Sequence, residues 1–266
     1  HCFVSFQPFF MNSVNPKTSS PLITLSIISH GDLEKVLSLL KSVQCYEEEH
    51  HLEIIITDNL GQDFTKMDTS VWASLTILRN KQPSGFAHNH NQAFKIATGK
   101  YFCVLNPDIL FTGAIFFSLI KRLEKDAAII SPLIVDANNR LQDSFRNFPS
   151  PLSLLKRKLP GYRFSPLPPD DLGLIHPNWI AGMFMLMQRE NYQQLGGFDE
   201  KFHLYFEDVD LCARARNLGF LPLVDTNLHI QHDAQRSSQK NFRYLLWHIQ
   251  SAVRFFSSKV YKDLKR

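Results

Sequence analysis

The sequence predicts an α/β fold: one mainly parallel, Rossmann-like sheet with a small antiparallel part and a C-terminal amphipathic helix. Three observations predict it. Short apolar, β-branched runs alternate with helix-period segments over the first half of the chain. The runs end on polar or acidic residues (His30, Asp58, Asp108), the end of a parallel sheet at which ligands bind. Beyond residue 128 the alternation gives way to a hairpin pattern, which supplies the antiparallel part.

Taken in order, residues 22–29 form a buried strand ending at His30-Gly31, and Asp32 caps a helix carrying Val36, Leu37, Leu39, Leu40 and Val43. A second buried strand, 52–57, ends at Asp58-Asn59, and a third, 75–78, leads into Pro83-Ser84-Gly85-Phe86, a turn before a helix through Asn91 and Ala97. The fourth strand, 101–105, ends at Asn106-Pro107-Asp108 and precedes a helix over 112–125. Residues 129–135 and 141–145, joined by Asp136-Ala137-Asn138-Asn139, read as a hairpin. Residues 149–177 hold seven prolines together with Lys156, Arg157, Lys158 and Arg163, and read as a mobile loop over the site. Residues 179–187 then resume as one core strand in which Met183, Met185 and Met187 alternate as core filling. An acidic helix starts at Glu207, with Leu211, Ala215 and Leu218 on one apolar face. Strands at 220–224 and 228–232 follow, then a long terminal helix whose core-facing stripe reads Phe242, Leu245, Leu246, Ile249, Val253, Phe256 and Val260. Tyr244, Trp247 and Phe255 fall on its other face with Arg243, Arg254 and Lys262 nearby, a combination suited to a membrane headgroup region.

The chain has 266 residues, 44% hydrophobic, with a heavy load of 22 Phe and a formal charge of +4. That mildly basic balance fits an anionic small ligand or a membrane surface as partner, and no nucleic-acid partner is expected. Cys2, Cys45, Cys103 and Cys212 have no paired spacing, so reduced thiols in a cytoplasmic protein are expected, with Cys103 and Cys212 in the core. No apolar run approaches the length of a membrane span. Residues 1–20 read as a disordered leader or start-site artefact, and 21–266 as one domain.

The chemistry lies in acids at strand and helix ends. There is no G-x-G-x-x-G after the first strand and no G-x-x-x-x-G-K-[ST] anywhere, which argues against dinucleotide and P-loop enzymes. Asp58 has two roles open to it: accepting a hydrogen bond from a nucleobase N–H, or capping the turn that follows it. Asp108 sits where a carboxylate holds Mg²⁺ or Mn²⁺ against a diphosphate, and where a plain turn Asp after Pro107 also sits. His229 and His232, at strand spacing, point to opposite faces, so at most one faces a site. Glu207, Asp208 and Asp210 open a helix behind the aromatic run Phe202, Leu204, Tyr205 and Phe206. They serve its N-terminal N–H groups, with Asp210 pairing Arg214, or present a carboxylate of raised basicity from an apolar wall.

Asn106-Pro-Asp-Ile109, Trp179-Ile-Ala-Gly182, Gly196-Gly-Phe-Asp199, Glu207-Asp-Val-Asp-Leu211 and His232, in that order, resemble family 2 glycosyltransferases of the GT-A fold. The resemblance runs from about Leu22 to about Phe256. It is greatest to bacterial O-antigen rhamnosyltransferases, through Ser29-His30-Gly31, Gly85-Phe-Ala-His-Asn-His-Asn91, Leu105-Asn-Pro-Asp108 and the aromatic–basic pattern of residues 242–255. It implies a nucleotide-sugar donor bound by Ser29, His30, Asp58, Asn59, Gly85, Asn91, Asn106 and Asp108. It further implies Asp108 and His232 as ligands of Mg²⁺ or Mn²⁺, Asp208 as catalytic base, and Trp179, Gly182 and Glu207 on the acceptor side. The implied reaction transfers L-rhamnose from dTDP-L-rhamnose, with inversion, to a polyprenyl-diphosphate-linked saccharide at the inner face of the plasma membrane. A UDP-hexose or UDP-galactofuranose donor, or a non-catalytic nucleotide-sugar-binding module, is the alternative. Two departures stand out: Asp58-Asn59-Leu60-Gly61 replaces a frequent Asp-Asn-x-Ser, and Asn106-Pro107-Asp108 offers one carboxylate where a D-x-D offers two.

Overall fold

β1 (Ile23–Ser29), β2 (Leu52–Asp58) and β4 (Tyr101–Leu105) are almost wholly buried on both faces, as continuous apolar runs must be when helices cover a parallel sheet on either side. The structure, a computed structural model, describes residues 21–264 except 66, 68, 69, 158, 160, 163, 164 and 234–241. The expectation for residues 1–20 lies outside the described residues.

The remaining strands are β3 (Ser74–Arg79), β5 (Ile109–Phe111), β6 (Ile129–Val135), β7 (Phe145–Arg146), β8 (Leu174–Ile175), β9 (Trp179–Ile180), β10 (Phe184–Gln188) and β11 (Pro222–His232). The main sheet is nine-stranded in the order β3-β2-β1-β4-β10-β6-β11-β5, with β8 also on β11. β3, β2, β1 and β4 pair in parallel, as do β6 and β11, whereas β10, β5 and β8 run against their neighbours. The sheet is therefore mixed and mostly parallel, as the sequence predicts.

The period of two in β4 divides the core. Tyr101, Cys103 and Leu105 face one side with Val36 and Leu39 of α1 (Leu33–Tyr46) and Leu119 and Leu123 of α3 (Phe116–Asp126). Phe102 and Val104 face the other, with Ala87 and Ala93 of α2 (Phe86–Ile96) and Leu211 and Cys212 of α6 (Glu207–Asn217). A third cluster joins Phe202, Phe206 and Val209 to Ala252 and Phe255 of α7 (Phe242–Ser257) and Tyr261 of α8 (Lys259–Asp263). Cys103 and Cys212 are buried free thiols, as expected.

Several sequence expectations need correction. Asp32 occupies the N-cap position of α1 but accepts no cap bond; its carboxylate pairs with Lys35 at 3.0 Å. Residues 109–111 form an antiparallel edge strand, so α3 starts at Phe116 and not at 112. The expected hairpin is cut short: Asp136 N–H donates to Arg140 O and Gln142 N–H to Ile134 O, both at 2.9 Å, but pairing goes no further, β11 lying along β6 and β10 taking its start. Leu141 makes only a single bridge to Val135, and β7 pairs instead with β9 in a separate two-stranded sheet. The strand expected over 179–187 is broken at Ala181–Met183, leaving β9 and β10 in different sheets. Within 149–177 the chain forms α4 (Pro151–Lys156), opened by a reciprocal Ser150–Ser153 capping box, α4 being followed later by β8. Residues 222–232 are one strand with a register shift between Asp225 and His229. Leu218 lies beyond the end of α6 and is half exposed.

The largest correction concerns α7: Phe256, with Val260 beyond it, packs inward as expected, but the apolar stripe ahead of them faces out. Ser251, Ala252 and Phe255 face inward, while Leu245, Leu246, Ile249 and Val253 are exposed. Two small residues let the helix approach residues 204–206 closely, with Ser251 Oγ donating to Leu204 O at 2.9 Å. Phe255 then fits between Phe206 and Tyr261. The side chain of Tyr244 lies outside the described residues.

Candidate active site

The site forms where two chain reversals meet the C-terminal edge of the sheet. Just before α6, Tyr205 and Phe206 both adopt the left-handed region, at φ 70° and 68°. Such a conformation costs roughly 1–3 kcal/mol for a residue with a Cβ and persists only where the surroundings enforce it. Here Phe206 is locked against His248, Phe255 and Phe256 at ring separations of 5.4, 5.6 and 6.1 Å. The turn sets Glu207 and Asp208 side by side in the first turn of α6.

Their environments differ. Asp208 Oδ2 accepts from the Gly182 N–H at 3.1 Å and Oδ1 from the Val209 N–H at 2.8 Å. Burial raises its pKa, and those two N–H groups hold the rise in check. Glu207 is 5% exposed, its Oε2 is buried without a partner, and its pKa is pushed well up by burial and then by the Asp208 charge. Glu207 is thus buried where both effects favour its protonated form, beside an Asp208 whose carboxylate two N–H groups stabilise. Asp210, also raised by burial, is the structural acid of the three: Arg214 Nε donates to it at 2.7 Å, the pair expected from their spacing.

A stability prediction follows. Glu207 and Asp208 titrate higher folded than unfolded, so the folded state binds more protons. Stability should then fall as pH rises from the ordinary values of 4.5 and 3.8 up through the raised ones. Glu207→Gln removes one of these titrations. Urea melts should show the variant more stable than wild type at about pH 8 and equal to it at about pH 4. Equal stability at both would mean Glu207 is not held neutral.

The turn at Ala181–Met183 joins the acids to the end of β4. Gly182 N–H holds Asp208, and the next residue's carbonyl, Met183 O, accepts from Asn106 N at 3.0 Å. Gly182 has no room for a side chain, since a Cβ would lie 2.8 Å from the Phe86 ring. Two residues beyond Asn106, Asp108 Oδ1 lies 3.2 Å from His232 Nε2, with the Asp233 N–H on Asp108 O at 2.9 Å pinning β11 alongside. The two groups are close enough for an ion pair but not aligned for a hydrogen bond. Asp108 Oδ1 and His232 Nδ1 are buried with no bonding partner among the described residues. A carboxylate oxygen and an imidazole so placed suit a divalent cation, most of whose coordination a diphosphate would complete. The other metal-capable cluster among the described residues, Glu48, His50 and His51, precedes β2 at the opposite edge of the sheet.

At the ends of β1 and β2, Asp58 Oδ1 gathers the N–H groups of Leu60, Gly61 and Gln62, at 3.3, 2.9 and 3.0 Å. Its Oδ2 is buried and unbonded, with Arg79 Nη1 at 3.8 Å. Ser29 Oγ donates to Gln62 Oε1. Asn59 Nδ2 donates to Ser84 O and to His30 Nδ1 at 2.9 Å, so the exposed His30 ring carries its proton on Nε2, facing out. Asn59 Oδ1 is filled by Asn80 and by Ser84 N–H, and Asn80 also donates to Asn89. Asn59 therefore organises this rim and leaves the outward contact to His30. Asn91 likewise has no free group: it binds Tyr192, Phe198 N–H, Phe198 O and Glu200, fastening the Gly196–Gly197 turn to α2. Trp179 Nε1 donates to Asn147 O at 3.2 Å.

Gly85, expected to touch a donor, acts through close packing: a Cβ there would sit 2.5 Å from His203 O. Gly85→Ala should therefore destabilise the fold by roughly 1–3 kcal/mol in urea melts, by pushing residues 203–206 away from α2. No loss would mean that segment yields without strain.

The sequence profile described as glycosyl transferase family 2 matches residues 26–196, more than half of the chain and reaching from β1 to the start of the glycine turn. The chain belongs to glycosyl transferase family 2. This family 2 chain is 28% identical over 253 residues to the rhamnosyltransferase WbbL of Escherichia coli K12, covering 90% of this chain and 94% of that protein. It is 26% identical over 151 residues to the N-acetylglucosaminyl-diphospho-decaprenol L-rhamnosyltransferase of Mycobacterium tuberculosis H37Rv, covering 52% and 48%. Among solved structures it resembles GalNAc-T7 with UDP, GalNAc and Mn²⁺, at TM-score 0.64 and 14% identity, over 84% of this chain and 45% of that one. It also resembles the mannosyltransferase PcManGT of Pyrobaculum calidifontis with GDP-Man and Mn²⁺, at TM-score 0.60 and 17% identity, over 90% and 66%. These structural likenesses establish the GT-A fold; with the family, they make the chain a glycosyltransferase.

Proposed function

We propose that this glycosyltransferase moves L-rhamnose from dTDP-L-rhamnose, with inversion, to a lipid-linked saccharide in the synthesis of a cell-surface polysaccharide. The observation that supports this reading is the link through Gly182 and Met183, which ties the turn bonded to Asp208 to Asn106, two residues before the Asp108–His232 pair. Rhamnose and a lipid-linked acceptor are read from what the two rhamnosyltransferase relatives are named for. The proposal takes 21–266 as one catalytic domain.

In the reaction, Asp208 takes the proton from an acceptor hydroxyl, whose oxygen bonds the anomeric carbon from the face opposite the diphosphate. The anomeric carbon–oxygen bond to the diphosphate breaks as that bond forms, and its electron pair leaves with the diphosphate. Asp108 and His232 would hold Mg²⁺ or Mn²⁺, which supplies charge neutralisation to that leaving group. His30 Nε2–H and Asn106 line the donor side, and Asp58 Oδ2 awaits a base N–H. Trp179 and the Gly182 turn border the acceptor side.

A thermal-shift series tests the donor. Nucleotide binding to the folded state alone raises the melting temperature, so dTDP should stabilise more than UDP at equal concentration. A clear preference for UDP would favour a UDP-hexose or UDP-galactofuranose donor.

A further inference from the structure

α7 leaves much of its long apolar stripe in water. Leu245, Leu246, Ile249 and Val253, on adjacent turns, are between 39% and 61% exposed. α4 does the same on a smaller scale: Leu152 and Leu155, with Leu159 just beyond, are between 61% and 68% exposed. The two helices are anchored to one cluster, Leu154 from α4 and Phe255 and Phe256 from α7 packing around Phe206. Each thus turns one side to the support of the catalytic helix and its apolar side outward.

The charge around these faces selects the occupant. Among the described residues the two helices and the short helix after α7 carry Lys156, Arg157, Arg254, Lys259 and Lys262 against one acid of their own, Asp263, with Asp199 and Asp210 lining the cavity behind Ile249 and Val253. A second copy meeting this surface about a two-fold axis would set like charges against each other. An anionic surface with an apolar interior meets both features at once: leucines enter the acyl boundary while Lys156, Arg157, Arg254, Lys259 and Lys262 meet headgroups. We propose that the outward faces of α4 and α7 form one docking surface for an anionic bilayer, holding the site at the membrane on which a lipid-linked acceptor lies. This deepens the lipid-linked reading of the acceptor, and its test uses no transfer reaction. The surface keeps Arg254 and Lys262, which the sequence also singles out, but replaces its aromatics with the aliphatic stripe of α7.

Flotation of the full chain with phosphatidylglycerol–phosphatidylethanolamine vesicles and with phosphatidylcholine vesicles decides it. Wild type should float with the anionic vesicles at low salt and much less with the neutral ones. Ile249→Asp with Val253→Asp, and separately Leu152→Asp with Leu155→Asp, should each lower partitioning roughly tenfold or more, since buried apolar contacts become repelled carboxylates. Phe117→Asp, at an exposed aromatic on α3 away from both helices, should bind as wild type, and so should Asp208→Asn. Circular dichroism would confirm that each variant is folded. Wild type left unbound, or either double variant floating normally, would overturn the proposal. So would sedimentation velocity showing a dimer that the Ile249→Asp, Val253→Asp variant abolishes while vesicle binding is unchanged.

Discussion

Asp208→Asn should lower turnover by roughly 10²–10⁴-fold, the range typical of a lost general base, with nucleoside diphosphate affinity nearly unchanged. The amide keeps the shape of the side chain and one acceptor oxygen, so it can retain the bond from Gly182 N–H while giving up that from Val209 N–H. What disappears is the group proposed to take the acceptor proton. Glu207→Gln serves as the internal comparison. Burial pushes the Glu207 pKa well up, and its Oε2 has no bonding partner among the described residues, so removing its ionisation should change turnover only a few-fold. Full activity in Asp208→Asn with loss in Glu207→Gln would move the base by one residue.

The second large effect concerns the cation. Chelation should abolish transfer, and Mg²⁺ or Mn²⁺ should restore it, because the departing diphosphate carries charge that Asp108 and His232 cannot neutralise themselves. Only one carboxylate and one imidazole are offered, where two carboxylates are common. Calorimetric titration of Mn²⁺ should therefore show weak binding alone and much tighter binding with dTDP present. Asp108→Asn and His232→Ala should each erase that enhancement while leaving the fold intact, since no aligned hydrogen bond joins the two side chains and neither buried atom, Asp108 Oδ1 or His232 Nδ1, has a bonding partner to lose among the described residues. Full activity in excess chelator would leave stabilisation of the leaving group to His232 and basic side chains.

Much of this molecule is legible in the sequence, for physical reasons that also mark where reading fails. β1, β2 and β4 are short, apolar and β-branched or aromatic, so their pattern and their polar ends locate the ligand edge of the sheet. The Asp210–Arg214 pair follows from helical spacing alone. Pairing partners are not local: residues 141–145 alternate like a hairpin arm, but β10 and β11 arrive from far along the chain and occupy β6 first. The break at Gly182 was visible only as a glycine; its reasons, the Phe86 ring and the Asp208 carboxylate, come from other elements. α7 misleads most. A helix whose apolar stripe faces water defeats the periodicity argument, and the small pair Ser251-Ala252 was the one local sign of the true contact face. Asn80, missed as a rim residue, follows β3 as Asn59 follows β2, and that strand-end rule would have found it.

The stereochemistry of the product tests the central claim most directly. With Asp208 proposed as a base and not as a nucleophile, transfer is a single displacement. The one-bond carbon–proton coupling at the anomeric centre of the transferred sugar, read by NMR on the isolated product, should report the configuration opposite to that of the donor. A product with the donor's own configuration would require a covalent or same-face route, and would contradict the assignment of Asp208 as the base of an inverting transfer.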